Sequence, residues 1–150
     1  MDPLDDLHDR LGTFLGALGL ETAHRPGGVT AVQVDDVPVL LSGFVEDGAT
    51  WLRLVALARV EVTPSVALLH HLTSLNRDLL VGAFQLFEDG TIGVSATLPG
   101  GMLDAHTLER VLRYVGGVAA RERPAFIALG GGAPWRPDAP ASPGEDTPPC

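Results

Sequence analysis

Lysine is absent from this chain: all ten of its basic residues are arginines. Schiff-base chemistry on a lysine amine and phosphate binding by a Walker-type lysine are both excluded. Cysteine occurs once, as Cys150. A lone thiol forms no internal disulfide, and its place on a polar tail argues against a structural or catalytic role. Cations are also few beside nineteen acids, giving a formal charge of -9. That balance repels phosphate backbones and anionic bilayers, so neither direct nucleic-acid binding nor a membrane partner is expected. No apolar run approaches the ~20 residues needed to span a bilayer. The opening Met1-Asp2-Pro3-Leu4-Asp5-Asp6 lacks the cationic and then apolar pattern of a secretory signal, so a cytoplasmic location is expected.

What is present suits one domain. The 150 residues are 45% hydrophobic, enough for a real core. Asp2 and Pro3 open a helix, as cap and first helical residue. Leu4, Leu7, Leu11, Phe14, Leu15 and Leu18 then form one apolar stripe, and Gly19 stops it. Three strand-like runs follow, at 29–35, 37–45 and 50–62, separated by Asp35-Asp36 and Asp47-Gly48. Aspartate and glycine tolerate the positive φ of tight turns, so an antiparallel meander is expected. Thr63-Pro64 starts a second helix with Val66, Leu69, Leu72 and Leu75 as its stripe and Asn76 near its end. Strands at 81–88 and 91–98 are joined through Asp89-Gly90, the strongest hairpin signal in the chain. The third helix starts at Asp104 and carries Leu108, Leu112, Val115 and Ala119. Its expected end is Arg121-Glu122-Arg123, before Pro124. Gly116-Gly117 inside it implies close packing of another backbone.

The reading is an α+β domain over residues 1–125, in the order α-β-β-β-α-β-β-α, with a five-stranded antiparallel twisted sheet flanked by helices. Residues 126–150 are proline- and glycine-rich, and a flexible tail is expected there. Phe126, Ile127 and Leu129 dock before the chain leaves the domain, and Trp135 anchors the tail on this molecule or on a neighbour.

Chemistry is hard to find. His70 and His71 are adjacent on a helix, hence about 100° apart, and no second histidine lies at i+4, so no metal site is assigned. His8, His24 and His106 have no nucleophile nearby in sequence. The acidic pairs Asp5-Asp6, Asp35-Asp36 and Glu88-Asp89 fall at caps or turns, which already explains them. Gly130-Gly131-Gly132 and Pro99-Gly100-Gly101 lack the context of a phosphate loop. No catalytic residue, metal or cofactor is assigned, and no enzymatic activity is expected.

The sheet is more informative. Leu52, Leu54, Ala56, Ala58 and Val60, with Ile92, Val94 and Ala96, make an apolar face that must meet helices. The other face is mixed: Trp51, Arg53, Val55, Leu57 and Arg59 on one strand, and Val81, Ala83, Gln85 and Phe87 on the next. Tryptophan and arginine around aliphatic residues is the composition of a protein–protein contact. The candidate partner- or dimer-binding set is Trp51, Arg53, Val55, Leu57, Arg59, Gln85 and Phe87. The competing reading is that the third helix or the tail covers this face.

From the helix ending Leu75-Asn76, through Val81-Gly82-Ala83-Phe84-Gln85-Leu86, the turn Glu88-Asp89-Gly90 and Thr91 to Leu98, to the closing helix, the chain resembles the YbjN family. That family is similar in fold to the type III secretion chaperones. The resemblance implies helices flanking a twisted sheet, homodimerisation, and binding of peptide segments from a client protein, with no enzymatic activity. It carries Asn76 and Gly90 over as structural residues only. The function expected is a non-enzymatic, chaperone-like or adaptor homodimer that holds a client segment on the sheet or pairs with it along a sheet edge. The alternative is a small-molecule-sensing regulatory domain with its pocket between the sheet and the third helix, using Gln85, Ser95 or Thr97. An enzyme with a spatially assembled site is the third class.

Overall fold

The computed structural model describes residues 2–136. Helix α1 (Pro3–Leu18) is capped by Asp2, whose carboxylate accepts the Leu4 N–H at 2.8 Å, and ends at Gly19 in the left-handed region. It buries Leu7, Leu11 and Leu15, the middle of the expected stripe. Six strands follow: β1 (Thr22–Arg25), β2 (Val29–Val34), β3 (Val37–Glu46), β4 (Ala49–Arg59), β5 (Ala83–Leu86) and β6 (Ile92–Pro99). Helix α2 (Val66–Asn76) lies between β4 and β5, and α3 (Ala105–Gly130) closes the domain. The sheet is antiparallel in the order β1-β2-β3-β4-β6-β5.

The strand count corrects the five-stranded expectation to six. The added strand, β1, is short and largely exposed, with no apolar alternation to betray it. It exists because Thr22–Arg25 pairs with Val29–Val32 across a 3₁₀ turn at Pro26–Gly28.

Turn chemistry sets the register elsewhere. Asp47 and Gly48 both have positive φ, the requirement of a two-residue hairpin between Glu46 and Ala49. At β5–β6 the loop is Glu88-Asp89-Gly90, with the Phe87 N–H donating to the Thr91 carbonyl at 2.8 Å. Gly90 (φ 88) could not be replaced freely, since a Cβ there would lie 2.7 Å from the Val62 carbonyl oxygen.

The helices cover one face of the sheet. Leu52, Leu54, Ala56 and Ala58 of β4 and Ile92, Val94 and Ala96 of β6 share a buried core with Leu108, Leu112, Val115 and Ala119 of α3. Gly116 sits against the side chain of Val34, where a Cβ would come within 3.0 Å of Val34 Cγ1. Its close neighbour is thus a side chain and not a second backbone. The carboxylate of Asp104, the α3 cap, is held below its ordinary pKa by the Thr107 backbone N–H and then the Thr107 hydroxyl.

The expected end of α3 before Pro124 is also corrected, for the helix continues to Gly130. An interior proline costs a helix about 3 kcal/mol. Here the last turns bury Phe126 completely, with its ring edge-on to Phe84 at 5.3 Å and to His71 at 6.0 Å. Burying a phenylalanine returns about 1.5–3 kcal/mol, and each aromatic pair adds about 0.5–1.5 kcal/mol, which offsets the proline. Arg123 braces the same turn, donating to the Ala58 carbonyl and to Asp36 Oδ2. Of the segment 126–150, residues 137–150, Cys150 among them, lie outside the described residues.

Candidate protein-binding surface

The face of the sheet turned away from the helices holds a second, smaller core. Val29, Ala31, Leu40, Val55 and Leu57 are buried there, with Phe87 and Trp135 packed on them. Val55 is 1% and Leu57 2% exposed, so neither is presented to a partner in this structure. Gly93 makes the arrangement feasible. A Cβ on it would sit 2.8 Å from Val55 Cγ1 and 3.6 Å from Phe87 Cε2, where the Phe87 ring approaches the sheet.

The cover comes from the chain that follows α3. Ala133 forms a two-hydrogen-bond bridge with Val60, the Val60 N–H donating at 2.9 Å and the Ala133 N–H at 2.8 Å. Arg59 donates from Nε to the Gly131 carbonyl at 3.0 Å and from Nη2 to the Gly132 carbonyl at 2.9 Å. The register of β4 slips between Leu57 and Arg59, an irregularity of the kind that bends a strand end. Trp135 then lies on the small core with the Arg25 guanidinium 5.0 Å from its ring centroid, a cation–π distance. Of the two readings of this face, cover by the segment after the third helix describes its Val55–Leu57 end.

The remaining candidates are dispersed. Trp51 is half-buried opposite Phe44 at the other end of β4, and Arg53 reaches Ser95 Oγ at 3.4 Å. Gln85 is exposed on β5. The structure therefore brings Val55, Leu57, Phe87 and, through the tail, Arg59 together, while Trp51, Arg53 and Gln85 lie apart from them. Ser95, offered as a polar group for a pocket beneath α3, faces away from that helix with Arg53. The space beside α3 is a cleft of about 180 Å³ lined by Leu18, Leu20, Val34, Asp35, Glu109, Leu112 and Arg113, without Gln85, Ser95 or Thr97.

Two larger hollows flank β1. One, of about 410 Å³, lies between α1 and the β1–β2 edge and includes His8, Leu11, Gly12, Leu15, His24 and Thr30. His8 Nε2 is buried beside it with no hydrogen-bond partner. The other, of about 320 Å³, is lined by Glu21, Ala23, Ala31, Gln33, Pro38 and Trp135. Alternate side chains of an extended segment point to opposite faces, so a strand paired with β1 would place them in the two hollows in turn. The two edges of the sheet differ. On β5 the Asn76 side chain already occupies the main chain of Phe84, accepting its N–H at 2.7 Å and donating to its carbonyl at 3.0 Å. Sequence reasoning missed the β1 edge because nothing in Thr22-Ala23-His24-Arg25 alternates.

His70 and His71 do not act together. His71 Nε2 lies 3.6 Å from Glu122 Oε1, within ion-pair range but too long for a hydrogen bond. Among the described residues no three histidine, cysteine or carboxylate side chains converge as metal ligands. No helix among them is long and apolar enough to cross a membrane.

This architecture is that of the type III secretion chaperones. ExsC in its complex with ExsE matches with a TM-score of 0.64 at 21% identity, over 84% of this chain and 97% of that one. The Yersinia pestis type III secretion chaperone SycH, in complex with a stable fragment of YscM2, matches at 0.57 and 21% identity, over 77% and 98%. The HopA1–SchA chaperone–effector complex matches at 0.60 and 18% identity, over 83% and 98%. At such identities the likeness shows the fold. The family profile described as "YbjN: Putative bacterial sensory transduction regulator" matches residues 7–128, and the chain belongs to the YbjN family. No curated protein matches the chain by sequence.

Proposed function

We propose that the protein is a non-enzymatic, cytoplasmic, chaperone-like adaptor that holds an extended segment of a client protein along the β1 edge. The observation that carries this reading is the contrast between the edges: β1 is flanked by a hollow on each face, whereas Asn76 fills the edge of β5. The similar folds of ExsC, SycH and SchA, each solved in complex with a protein partner, support it. Segment pairing draws affinity from main-chain hydrogen bonds and selectivity from the hollows, and it needs no reacting group.

Self-association belongs to the same proposal. The outer side of α2 and the turn beyond it expose Val66, Leu69 and Leu80, at 72%, 47% and 84%. Such apolar exposure on neighbouring elements suits a homodimer contact.

Gly12 provides the test. A Cβ there meets nothing within 4 Å, so Gly12→Trp fills the α1–β1 hollow from an exposed helix position and gains helix propensity. The wild type is expected to retain a discrete protein from lysate of its own cell, and Gly12→Trp to lose it without losing thermal stability. Equal retention by both would remove the client from this hollow.

A second reading, a small-molecule-sensing regulator, rests on the same hollow, whose volume of about 410 Å³ suits a ligand and whose His8 Nε2 lacks a partner. Thermal stabilisation of the wild type by a metabolite, abolished in Gly12→Trp, would favour it.

A further inference from the structure

We propose that the small apolar shelf on the helix-free face is itself a segment-binding site, held in cis by Gly131–Arg136, and that in trans it accepts an extended segment anchored by one aromatic side chain. The inference deepens the protein-binding reading and rests on it in taking the ligand to be a polypeptide.

The contacts on Gly131–Arg136 are those a bound peptide would make. Ala133 pairs with Val60 by main chain alone, and Arg59 grips two carbonyls, so neither depends on which side chains the segment carries. Selectivity falls to one residue, Trp135, seated on Val29, Ala31, Leu40, Val55 and Leu57. Main-chain pairing with a single pocketed anchor is the general form of extended-peptide recognition.

Trp135 is an imperfect occupant. Its Nε1 is buried without a hydrogen-bond partner, a desolvation cost that a phenylalanine anchor does not carry. The segment also has a pivot. Gly131 and Gly132 both have positive φ, and a Cβ on Gly132 would overlap the Val60 carbonyl oxygen, so the turn that lays the segment on the sheet depends on glycine. Trp135 moreover forms one wall of the hollow of about 320 Å³ beside β1. A trans segment has room to continue from the shelf along Ala31, Gln33 and Pro38 toward the β1 edge, joining the two surfaces.

The experiment compares the full chain, full-length Trp135→Ala, and a chain ending at Gly130, which lacks the residues that pair with Val60 and Arg59, each first shown to melt cooperatively. The probe is a fluorescein-labelled peptide with this chain's residues 130–136, alone and with Trp135→Phe. Because a competing cis segment lowers apparent affinity by the fraction of open sites, both altered chains should bind the probe at least about tenfold more tightly than the full chain. The Trp135→Phe probe should bind at least as well as the parent, and Leu57→Arg in the shortened chain should abolish binding. In the full chain the Ala133 amide should exchange with solvent about 100-fold faster than that of Leu54, as a local opening requires.

Ala133 protection equal to that of Leu54, or no probe binding to the opened chains at millimolar peptide, overturns the proposal. A dimer that becomes monomeric on truncation would overturn the cis assignment and give Trp135 to a second copy. Failure of the client-holding reading is seen separately, as absent client retention by the wild type while the opened shelf still binds the probe.

Discussion

Asn76 does two jobs with one amide. Its Oδ1 accepts the Phe84 N–H at 2.7 Å and its Nδ2 donates to the Phe84 carbonyl at 3.0 Å, as a neighbouring strand would. The side chain therefore ends the sheet at β5 and ties α2 to it. Removing it strips partners from two main-chain groups of a residue whose ring lies in the core, at about 1–3 kcal/mol for each unsatisfied group. Asn76→Ala is expected to lower the urea-unfolding free energy by about 2–4 kcal/mol, whereas Asn76→Asp, which keeps only the acceptor, should fall between. A change below about 0.5 kcal/mol would mean that water replaces the amide at an exposed edge. Residues of this kind are invisible to periodicity: asparagine at a helix end reads as a stop signal, and only the fold places it beside Phe84.

At the scale of elements, α3 is the piece whose length decides where the domain ends. Its first five turns follow from Asp104 and the apolar stripe, but its last two depend on a pocket formed by Phe84 of β5 and His71 of α2. Phe126→Ala should cost about 3–5 kcal/mol, as large aromatic deletions in cores do, and should also loosen the segment that follows. Pro124→Ala at an exposed position should do the opposite, raising stability by about 1–3 kcal/mol through a recovered helical hydrogen bond. Chemical denaturation of the two variants checks both signs. If Phe126→Ala proved neutral, the helix beyond Pro124 would not be part of the cooperative unit. Helix α1 behaves differently, because its cap, stripe and stop are all local and all legible from residues 2–19.

For the whole molecule, the sheet divides the work. One face is buried under helices, the other is part shelf and part open, and its two edges are treated differently. Self-association through α2 should be sensitive to charge at its exposed apolar positions, and Leu69→Glu is expected to convert a dimer into a folded monomer by light scattering. A wild type that is monomeric at every concentration would end that part of the proposal, leaving client holding to a single subunit. The net charge of -9 acts at this scale, as a long-range field, and says little about the partner at any particular site.

By itself the amino-acid sequence determined the parts whose causes are local: three helices with the caps of α1 and α3 (α2 is capped by Ser65, not by the expected Thr63), five of the six strands, the hairpins at Asp35-Asp36, Asp47-Gly48 and Asp89-Gly90, and the faces of β4 and β6. Each follows from propensity, period and positive-φ chemistry within a few residues. Tertiary structure alone decided the rest. Strand β1 has no pattern of its own and forms because β2 offers it a ladder. The helix survives Pro124 because Phe126 finds a pocket 42 positions away in sequence, at Phe84. Val55 and Leu57, apolar beside arginines, read either as a contact surface or as a face covered by the third helix or the tail, and the fold decides it by laying Trp135 on them and tying the segment after α3 to Arg59. Composition can say that such a face will be covered, but which group covers it is set by distances that exist only after the chain has folded.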